Sequence, residues 1–324
     1  MRLLIFFLAV LCMSVSCRST EPLTVEKSVR ALAGFPDNSF WLDRPKAEEV
    51  PLVSAHRARP ELAAIPENSL VGIAELVRAG SFILEMDVAM SADSVLFLFH
   101  DDDLDRLTFN RGNAAMRRWA ELDTMRLRDP TGNVTRATIP SLIEALNLAK
   151  GKAFFTLDRK NGVPYSKILE AVQAAGVDEA AALILYDDSD YEEWAKLNPL
   201  GPMSFTVRTP DQLDVYVQRN RELYARFGLP PFRRREGLPA VVFAGVGDPS
   251  TTLLAAASER GVRTIVGTFG DLDQQASATD GQLYRDLVTR GVDIIATDRP
   301  LAAYEALYDV ARRRSEQFNR AVQN

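Results

Sequence analysis

Short apolar runs alternate with helical patterns along the chain from about residue 50 onward. The run VPLVSA (50–55) predicts a strand, and SLVGIAELVRAG (69–80) predicts a helix because its apolar residues recur on one face. Asn68 or Ser69 is a candidate N-cap, and Gly80 is expected to end this helix. The chain therefore opens its folded part with a strand followed by a helix.

The next two apolar runs indicate a hairpin. SFILEMDVAM (81–90) and SVLFLFH (94–100) are separated only by the turn-like SAD, which is too short for a strand–helix–strand unit. SLIEALNLAKG (141–151) then predicts a capped helix that leads into the strand KAFFTLD. The remaining strand–helix pairs are ALILYD with DYEEWAKL, MSFTV with a helix after Pro210, AVVFAG with STTLLAAASERG, RTIVGTF with GQLYRDLVTRG, and VDIIATD with LAAYEALYDVARRR.

This repetition favours the α/β class and a parallel sheet, and about eight units favour a closed (β/α)8 TIM barrel over an open doubly wound sheet. Nine strand candidates compete for eight places, so we expect one of the later runs to lie outside the barrel. Residues 106–139 break the rhythm: they contain Gly112, the turn sequence DPTGN and one short helical stretch around Trp119 to Leu122. They predict a small insertion after the third strand, packed over one end of the barrel.

Composition narrows the class of protein. The 324 residues are 47% hydrophobic and 25% charged, which is typical of a globular protein large enough to bury a sizeable core. The formal net charge of −6 argues against a nucleic-acid partner, since neutralising phosphates requires a basic face. Nothing in the sequence implies an obligate protein partner.

The N-terminus resembles a bacterial lipoprotein signal. Arg2 precedes an apolar stretch too short to span a bilayer, and small residues lead to Cys17, although Ser14 stands where an aliphatic residue is more usual. Ordinary secretion is the alternative. The only other cysteine, Cys12, lies within the apolar stretch, so the domain that follows would contain no disulfide. We expect a signal peptide over 1–16, lipidation of Cys17, a tether over 17–46 and the barrel domain over 47–324, exported and anchored to a bacterial membrane on its periplasmic or surface side.

Polar residues end four of the early strands. His56 ends the first, Glu85 and Asp87 lie on one side of the second, His100 ends the third, and Asp158 ends the fourth. In a barrel these strand ends open onto one face, so we expect the five side chains to converge.

The residue types suggest a chemistry for that face. Carboxylates at Glu85, Asp87 and Asp158 form an oxygen-rich site for one divalent cation, Ca²⁺ or Mg²⁺. Two histidines beside it can exchange protons near neutral pH. Arg57 and Lys160 are candidates for binding an anionic, phosphoryl group.

Five ordered motifs carry a specific resemblance. HRARPELAAIPENSL, LEMDVAMSADSVLFLFHDDDLDRLT, IPSLIEAL, LDRK and GVDIIATDRP are together similar to the glycerophosphodiester phosphodiesterase family, over roughly Val50 to Leu307. The resemblance implies a TIM barrel that hydrolyses glycerophosphodiesters to glycerol phosphate and an alcohol with a divalent metal.

The family's residue roles fall on positions already singled out. Its two essential histidines match His56 and His100, and its three acidic ligands match Glu85, Asp87 and Asp158. Its arginine and lysine match Arg57 and Lys160. One histidine would activate the nucleophile, which is either the glycerol 2-hydroxyl or water, and the other would protonate the departing alkoxide.

Three positions depart from the family pattern. Ala58 stands where glycine is usual after HR, which matters if the backbone there needs positive φ. Asp158 is one methylene shorter than the commoner glutamate. The late tryptophan is replaced within VGTFG, where Phe269 can cover the same wall.

Supporting residues and alternatives complete the expectations. Asp101 is a candidate for orienting His100 or a metal-bound water, Asn68 is a candidate either for the site or for the helix cap, and Asp298 either closes the barrel rim or takes part in the site. A lipid-anchored barrel that binds phosphodiester or polar head-group ligands but is catalytically impaired is the alternative function. A glycosidase fits less well, because Glu85 and Asp87 lie too near each other to flank a glycosidic bond.

Overall fold

The computed structural model describes residues 52–160, 162–197, 201–226 and 241–308. The expected signal peptide over 1–16, Cys17 and the tether over 17–46 all lie outside the described residues. Within the described ranges, none of the helices combines the length and the apolar character needed to cross a membrane.

Eleven strands alternate with helices over these ranges. The strands are β1 (Leu52–Ala55), β2 (Ile83–Met90), β3 (Leu96–Leu98), β4 (Arg126–Arg128), β5 (Val134–Thr138), β6 (Phe154–Arg159), β7 (Ala181–Leu185), β8 (Met203–Thr206), β9 (Val241–Val246), β10 (Arg263–Gly267) and β11 (Ile294–Thr297). The helices are α1 (Leu70–Ala79), α2 (Trp119–Leu122), α3 (Leu142–Ala149), α4 (Tyr165–Ala175), α5 (Asp188–Leu197), α6 (Pro210–Arg226), α7 (Thr251–Glu259), α8 (Asp271–Ala278), α9 (Gln282–Thr289) and α10 (300–308).

Eight of the strands form a closed parallel barrel, which confirms the predicted TIM barrel. Its order is β1, β2, β6, β7, β8, β9, β10, β11, and β11 pairs again with β1. The helices between the strands surround the barrel, and large apolar side chains such as Trp194 and Phe155 are fully buried between the two layers. Because all eight strands run in one direction, their carboxyl ends share one rim.

Of the nine predicted strands, β3 is the one that lies outside the barrel, so the prediction that a later run would be excluded is wrong. β3 pairs antiparallel with β2, with Val88 opposite Leu98 and Met90 opposite Leu96. The turn between them, in which Ser94 has a φ of +66°, is far too short for the crossover that a parallel neighbour needs. The hairpin itself is as predicted.

The insertion follows β3, which is third in the chain but not part of the barrel. It contains α2, at the predicted position, and a β4–β5 hairpin whose turn is the DPTGN sequence. The insertion has a small core of its own, which packs on the outer strand and includes Phe97, Phe99, Leu107, Leu122 and Ile139. This satellite core fixes the loop that follows His100.

Local capping signals account for two helix starts. The Ser69 hydroxyl accepts a hydrogen bond from the Gly72 amide, and the α1 helix ends at Gly80 as expected. The Ser141 and Glu144 side chains form a reciprocal capping box at the start of α3. The sequence offered Asn68 or Ser69 as the cap of α1, and Ser69 fills that role.

Candidate active site

The first histidine stands where β1 turns away from the barrel. A short 3-10 turn over His56–Ala58 follows the strand, and Arg57 and Ala58 have φ values of +54° and +44°. Position 58 therefore has the positive φ that favours glycine, and the alanine methyl is fully buried there. The same turn aims the Arg57 amide inward, where it donates to Glu85 Oε2 at 2.7 Å.

Three carboxylates meet inside the barrel mouth. Glu85, Asp87 and Asp158 each offer an oxygen atom within 4.8 Å of the others. The register of β2 and β6 explains the convergence, because it places Asp87 directly opposite Asp158 on the neighbouring strand. Asp87 and Asp158 are buried, and Glu85 is half-buried.

Burial makes this cluster electrostatically costly. Desolvation holds the pKa of Glu85 well above its ordinary value, and the negative charges of Asp87 and Asp158 raise this pKa further. Desolvation also raises the pKa of Asp158, although Lys160 opposes that shift. A site that holds three carboxylates against this cost calls for a compensating cation.

Lys160 provides part of that compensation. Its Nζ lies 2.8 Å from Asp87 Oδ1 and 2.5 Å from Asp158 Oδ2. These two ion pairs raise the pKa of Lys160 despite its partial burial, so the ammonium stays charged. Lys160, which was predicted to bind the phosphoryl group, thus contacts two of the carboxylates in this structure.

The remaining oxygen atoms fit a bound divalent cation. Asp158 Oδ1 is buried and accepts no hydrogen bond from the described residues, and one ammonium cannot balance three carboxylates. Oxygen ligands from two adjacent strands are the donor set that Ca²⁺ and Mg²⁺ prefer. The residues present are therefore suited to the cation expected from the sequence.

Asn68 holds one of these carboxylates in place. Its Nδ2 donates to Asp87 Oδ2 at 2.7 Å, and its Oδ1 accepts from the Asp87 amide at 3.2 Å. The residue is buried and has a φ of +51°, a conformation that asparagine tolerates better than most residues. Asn68 was a candidate either for the site or for the helix cap, and its contacts place it in the site.

The last barrel strand supplies a partner for His56. Asp298 follows β11, and its Oδ1 lies 2.8 Å from His56 Nδ1. The hydrogen bond to His56 and the charges of Arg59 and Arg57 outweigh desolvation and lower the pKa of Asp298. A buried carboxylate on α8, Asp273, accepts a 2.8 Å hydrogen bond from the Asp298 amide and so fixes the strand end.

A ring of charged contacts surrounds the second histidine. Asp101 Oδ1 lies 2.7 Å from His100 Nδ1, and Arg57 Nη2 lies 2.9 Å from His100 Nε2. Arg106 pairs with Asp101, and Glu67 bridges Arg106 and Arg57. Hydrogen bonds from Arg106 lower the pKa of Asp101 to about 2, so this carboxylate is ionised throughout the neutral range.

A cavity of about 260 Å³ opens at the carboxyl ends of the strands. His56, Glu85 and Asp158 lie along one side of it, and the Phe269 ring packs against the His56 imidazole with 4.3 Å between ring centroids. The Phe269 wall expected from the sequence is therefore present.

Contacts join Arg57, Asn68 and Lys160 to the carboxylate cluster, and Arg57 to His100. His56 lines the cavity beside Glu85 and Asp158, whereas His100 is not among the lining residues.

Two important contacts were not predicted from the sequence. The Asp298–His56 pair joins residues 242 positions apart, and only the position of Asp298 after the last strand could have suggested it. The bridge from Arg106 to Glu67 was not anticipated, because Arg106 lies where the insertion begins.

Comparison with known proteins gives a consistent result. A model of the glycerophosphoryl diester phosphodiesterase family matches residues 56–302. A glycerophosphodiester phosphodiesterase of Arabidopsis thaliana is 30% identical over 188 residues, which are 55% of this chain and 51% of the plant protein. A glycerophosphoinositol inositolphosphodiesterase of Mus musculus is 31% identical over 173 residues, 43% of this chain and 32% of the mouse protein. The matched segments thus cover about half of the plant protein and about a third of the mouse one.

Solved structures show the same barrel. A glycerophosphoryl diester phosphodiesterase from Parabacteroides distasonis superposes with a TM-score of 0.66 at 25% identity, covering 89% of this chain and 92% of that chain. A phosphodiesterase of Oleispira antarctica, in complex with the product sn-glycerol-3-phosphate, superposes with a TM-score of 0.59 at 19% identity. That second likeness covers 80% of this chain and 97% of the other, and it is a likeness of fold.

Proposed function

Because the chain belongs to the glycerophosphoryl diester phosphodiesterase family, we propose that it is a metal-dependent hydrolase that cleaves glycerophosphodiesters to glycerol phosphate and an alcohol. The observation that carries this proposal is the meeting of three carboxylates at the barrel mouth, where Glu85 and Asp158 line one cavity together with His56. The sn-glycerol-3-phosphate held by the Oleispira antarctica protein of the same fold supports the substrate class.

Glu85, Asp87 and Asp158 would hold the cation, Ca²⁺ or Mg²⁺. When bound, such an ion supplies positive charge that stabilises the phosphoryl oxygens as negative charge develops on them. Arg57 and Lys160 add further positive charge beside the carboxylates, and both are candidates for binding the phosphate oxygens.

The two imidazoles supply the proton transfers. The Asp298 carboxylate accepts a hydrogen bond from His56 Nδ1, which leaves His56 Nε2 for the substrate. The Asp101 carboxylate does the same for His100 Nδ1, while the Arg57 guanidinium donates to His100 Nε2 and occupies the one lone pair of that atom. When the phosphate oxygens draw Arg57 away, this lone pair becomes free, and His100 can accept the proton of the nucleophile while His56 donates one to the departing alkoxide.

Hydrolysis assays test the proposal directly. We expect purified protein to release glycerol phosphate from glycerophosphodiesters in the presence of Ca²⁺ or Mg²⁺, and to lose this activity when a chelator is added. Phosphorus NMR during turnover would reveal a cyclic phosphate if the glycerol 2-hydroxyl is the nucleophile. Binding of the diester without any product would contradict the proposal and favour the catalytically impaired barrel.

We also propose that Cys17 anchors the protein to a membrane after export. In a bacterial host, the wild-type chain is expected to be recovered with the membrane fraction, and Cys17→Ser is expected to move most of it to the soluble fraction, since the acyl chains supply most of the binding energy. Fractionation followed by immunoblotting measures this, with Cys12→Ser as the matched control. Equal membrane recovery of the wild type and Cys17→Ser would contradict the anchor.

A further inference from the structure

A positively charged side chain lines the cavity on the side opposite His56. Among the described residues that line the cavity, Arg208 is the one whose side chain carries a permanent positive charge. It lies just beyond the end of β8, which is four places from β1 in either direction around the barrel. Arg208 therefore lies on the side of the rim opposite His56.

Within the described part of the chain, this guanidinium forms no ion pair. No carboxylate of the described residues lies within 4.0 Å of it, whereas Arg57, Arg106 and Arg159 each pair with acidic side chains. The backbone amide of Arg208 donates a 2.8 Å hydrogen bond to Gln212 Oε1, which fixes the backbone from which the side chain extends.

The guanidinium lies beside the end of β9. A methyl group on Gly245 would lie 3.8 Å from Arg208 Nη1, which is an ordinary contact distance. Arg208 is exposed, so its guanidinium is open to solvent. The 17-residue helix α6 begins two residues later at Pro210, and the positive end of its dipole adds to the charge of Arg208.

The wall between these two sides of the rim is mostly apolar and carries no charge. Ile184, Phe243, Ile265 and Phe269 line it, together with the hydroxyl-bearing residues Tyr186, Ser204 and Thr206. A substrate that reaches from the carboxylates across this wall meets Arg208 with the part most distant from the phosphate. That part is repelled if it is a quaternary ammonium and attracted if it carries a negative charge.

We propose that Arg208 forms an anion subsite that selects glycerophosphodiesters whose alcohol portion carries a second negative charge, either a carboxylate or a second phosphate. A guanidinium suits both groups because its paired N–H donors match two of their oxygens. This inference rests on the proposed function, which it deepens by naming the preferred class of substrate.

Substrate competition tests the subsite. We measure kcat/KM for glycerophosphoserine, for bis(glycerophospho)glycerol and for glycerophosphocholine, which differ in the charge remote from the scissile phosphate. Wild-type protein is expected to prefer the two anionic substrates over the choline diester by about tenfold, the effect of one charge-assisted hydrogen bond. Arg208→Gln is expected to abolish the preference, and Arg208→Lys to retain part of it. If only one anionic substrate is preferred, the carboxylate and the second phosphate are thereby told apart.

Arg221→Gln is the matched control. Arg221 is exposed on α6 and is not one of the residues that line the cavity. Its replacement removes the same charge and is expected to leave the substrate preference unchanged. Raising the salt concentration is expected to weaken the wild-type preference, because the subsite is open to solvent.

Binding measurements separate this inference from the proposed function. Titration calorimetry on the His100→Ala variant, with and without Arg208→Gln, gives the affinities for glycerophosphoserine and glycerophosphocholine without turnover. If the wild-type protein hydrolyses neither diester while binding shows an anionic preference that depends on Arg208, the subsite is sustained and the hydrolase is refuted. Hydrolysis of both diesters at equal kcat/KM, with equal affinities that Arg208→Gln does not change, would overturn the subsite alone.

Discussion

Replacing His56 by alanine is expected to lower kcat by about a hundred- to ten-thousand-fold, since a positioned imidazole contributes a factor of that size to proton transfer. Asp298 holds the ring by its Nδ1 atom, and Phe269 packs on its face, so the imidazole is presented to the cavity in one orientation. Steady-state kinetics with a glycerophosphodiester, together with thermal unfolding to show that the fold persists, measure the effect.

Two further variants assign the cause of that loss. Phe269→Leu keeps the imidazole and removes the aromatic contact, and it is expected to cost less than about tenfold. Asp298→Asn keeps a neighbouring amide but removes the negative charge that supports a protonated imidazole, so we expect a loss between those of the other two variants. His56→Ala retaining more than about a tenth of the wild-type kcat would be incompatible with a role in proton transfer.

Replacing Glu85 by glutamine is expected to inactivate the enzyme and to stabilise the protein when no metal is bound. The uncharged amide is a poorer ligand for a hard cation, so activity should fall by at least about a hundredfold at metal concentrations that saturate the wild type. In chelator, the same change removes a charge that is desolvated beside two other carboxylates, and the free energy of unfolding near pH 8 should rise by about 1–3 kcal/mol.

The direction of the Glu85 pKa shift determines how its effect on the free energy of unfolding changes with pH. The pKa of Glu85 in the folded protein lies above the ordinary value of 4.5 that applies to the unfolded chain. Between those two values the folded protein holds a proton that the unfolded chain has released, so the stabilising contribution is complete below about pH 4.5 and is lost as the pH rises through the folded pKa. The advantage of Glu85→Gln in chelator should therefore be largest near pH 8 and small near pH 4.

Thermal unfolding across this pH range, with chelator and with added Ca²⁺ or Mg²⁺, checks the prediction. Glu75→Gln removes a carboxylate of the same type that pairs with Arg78 on the surface of α1, and it should change the free energy of unfolding by less than about 0.5 kcal/mol. A Glu85→Gln protein that is less stable than the wild type in chelator at high pH would show that the carboxylate cluster is not strained.

The sequence predicted those features of the fold that depend on local patterns. The α1 helix, its Ser69 cap, the β2–β3 hairpin and the short α2 helix follow from periodicity, capping and turn chemistry that neighbouring residues carry. The exclusion of β3 from the barrel depends instead on pairing among distant strands. The α8 helix was also missed, because its sequence DLDQQASA has almost no apolar stripe.

The sequence likewise predicted only part of the candidate site. The positions of Glu85, Asp87 and Asp158 follow from strand alternation and from the common rim of a parallel barrel. The partners of the cations do not: Lys160 lies against carboxylates and Arg57 against His100, because each long flexible side chain takes the nearest opposite charge or acceptor. Their roles toward phosphate remain predictions.

The contact between Arg106 and Glu67 has a consequence for loop engineering. Arg106 begins the insertion over 106–139, whereas Glu67 lies just before α1, so one side chain joins the insertion to the barrel. A chimera that receives this segment from another protein would keep both imidazoles, yet without an arginine at that point it would lose the link that locks the Asp101 and Arg57 side chains on either side of His100. Grafts that retain this single guanidinium should tolerate wide changes in the rest of the segment.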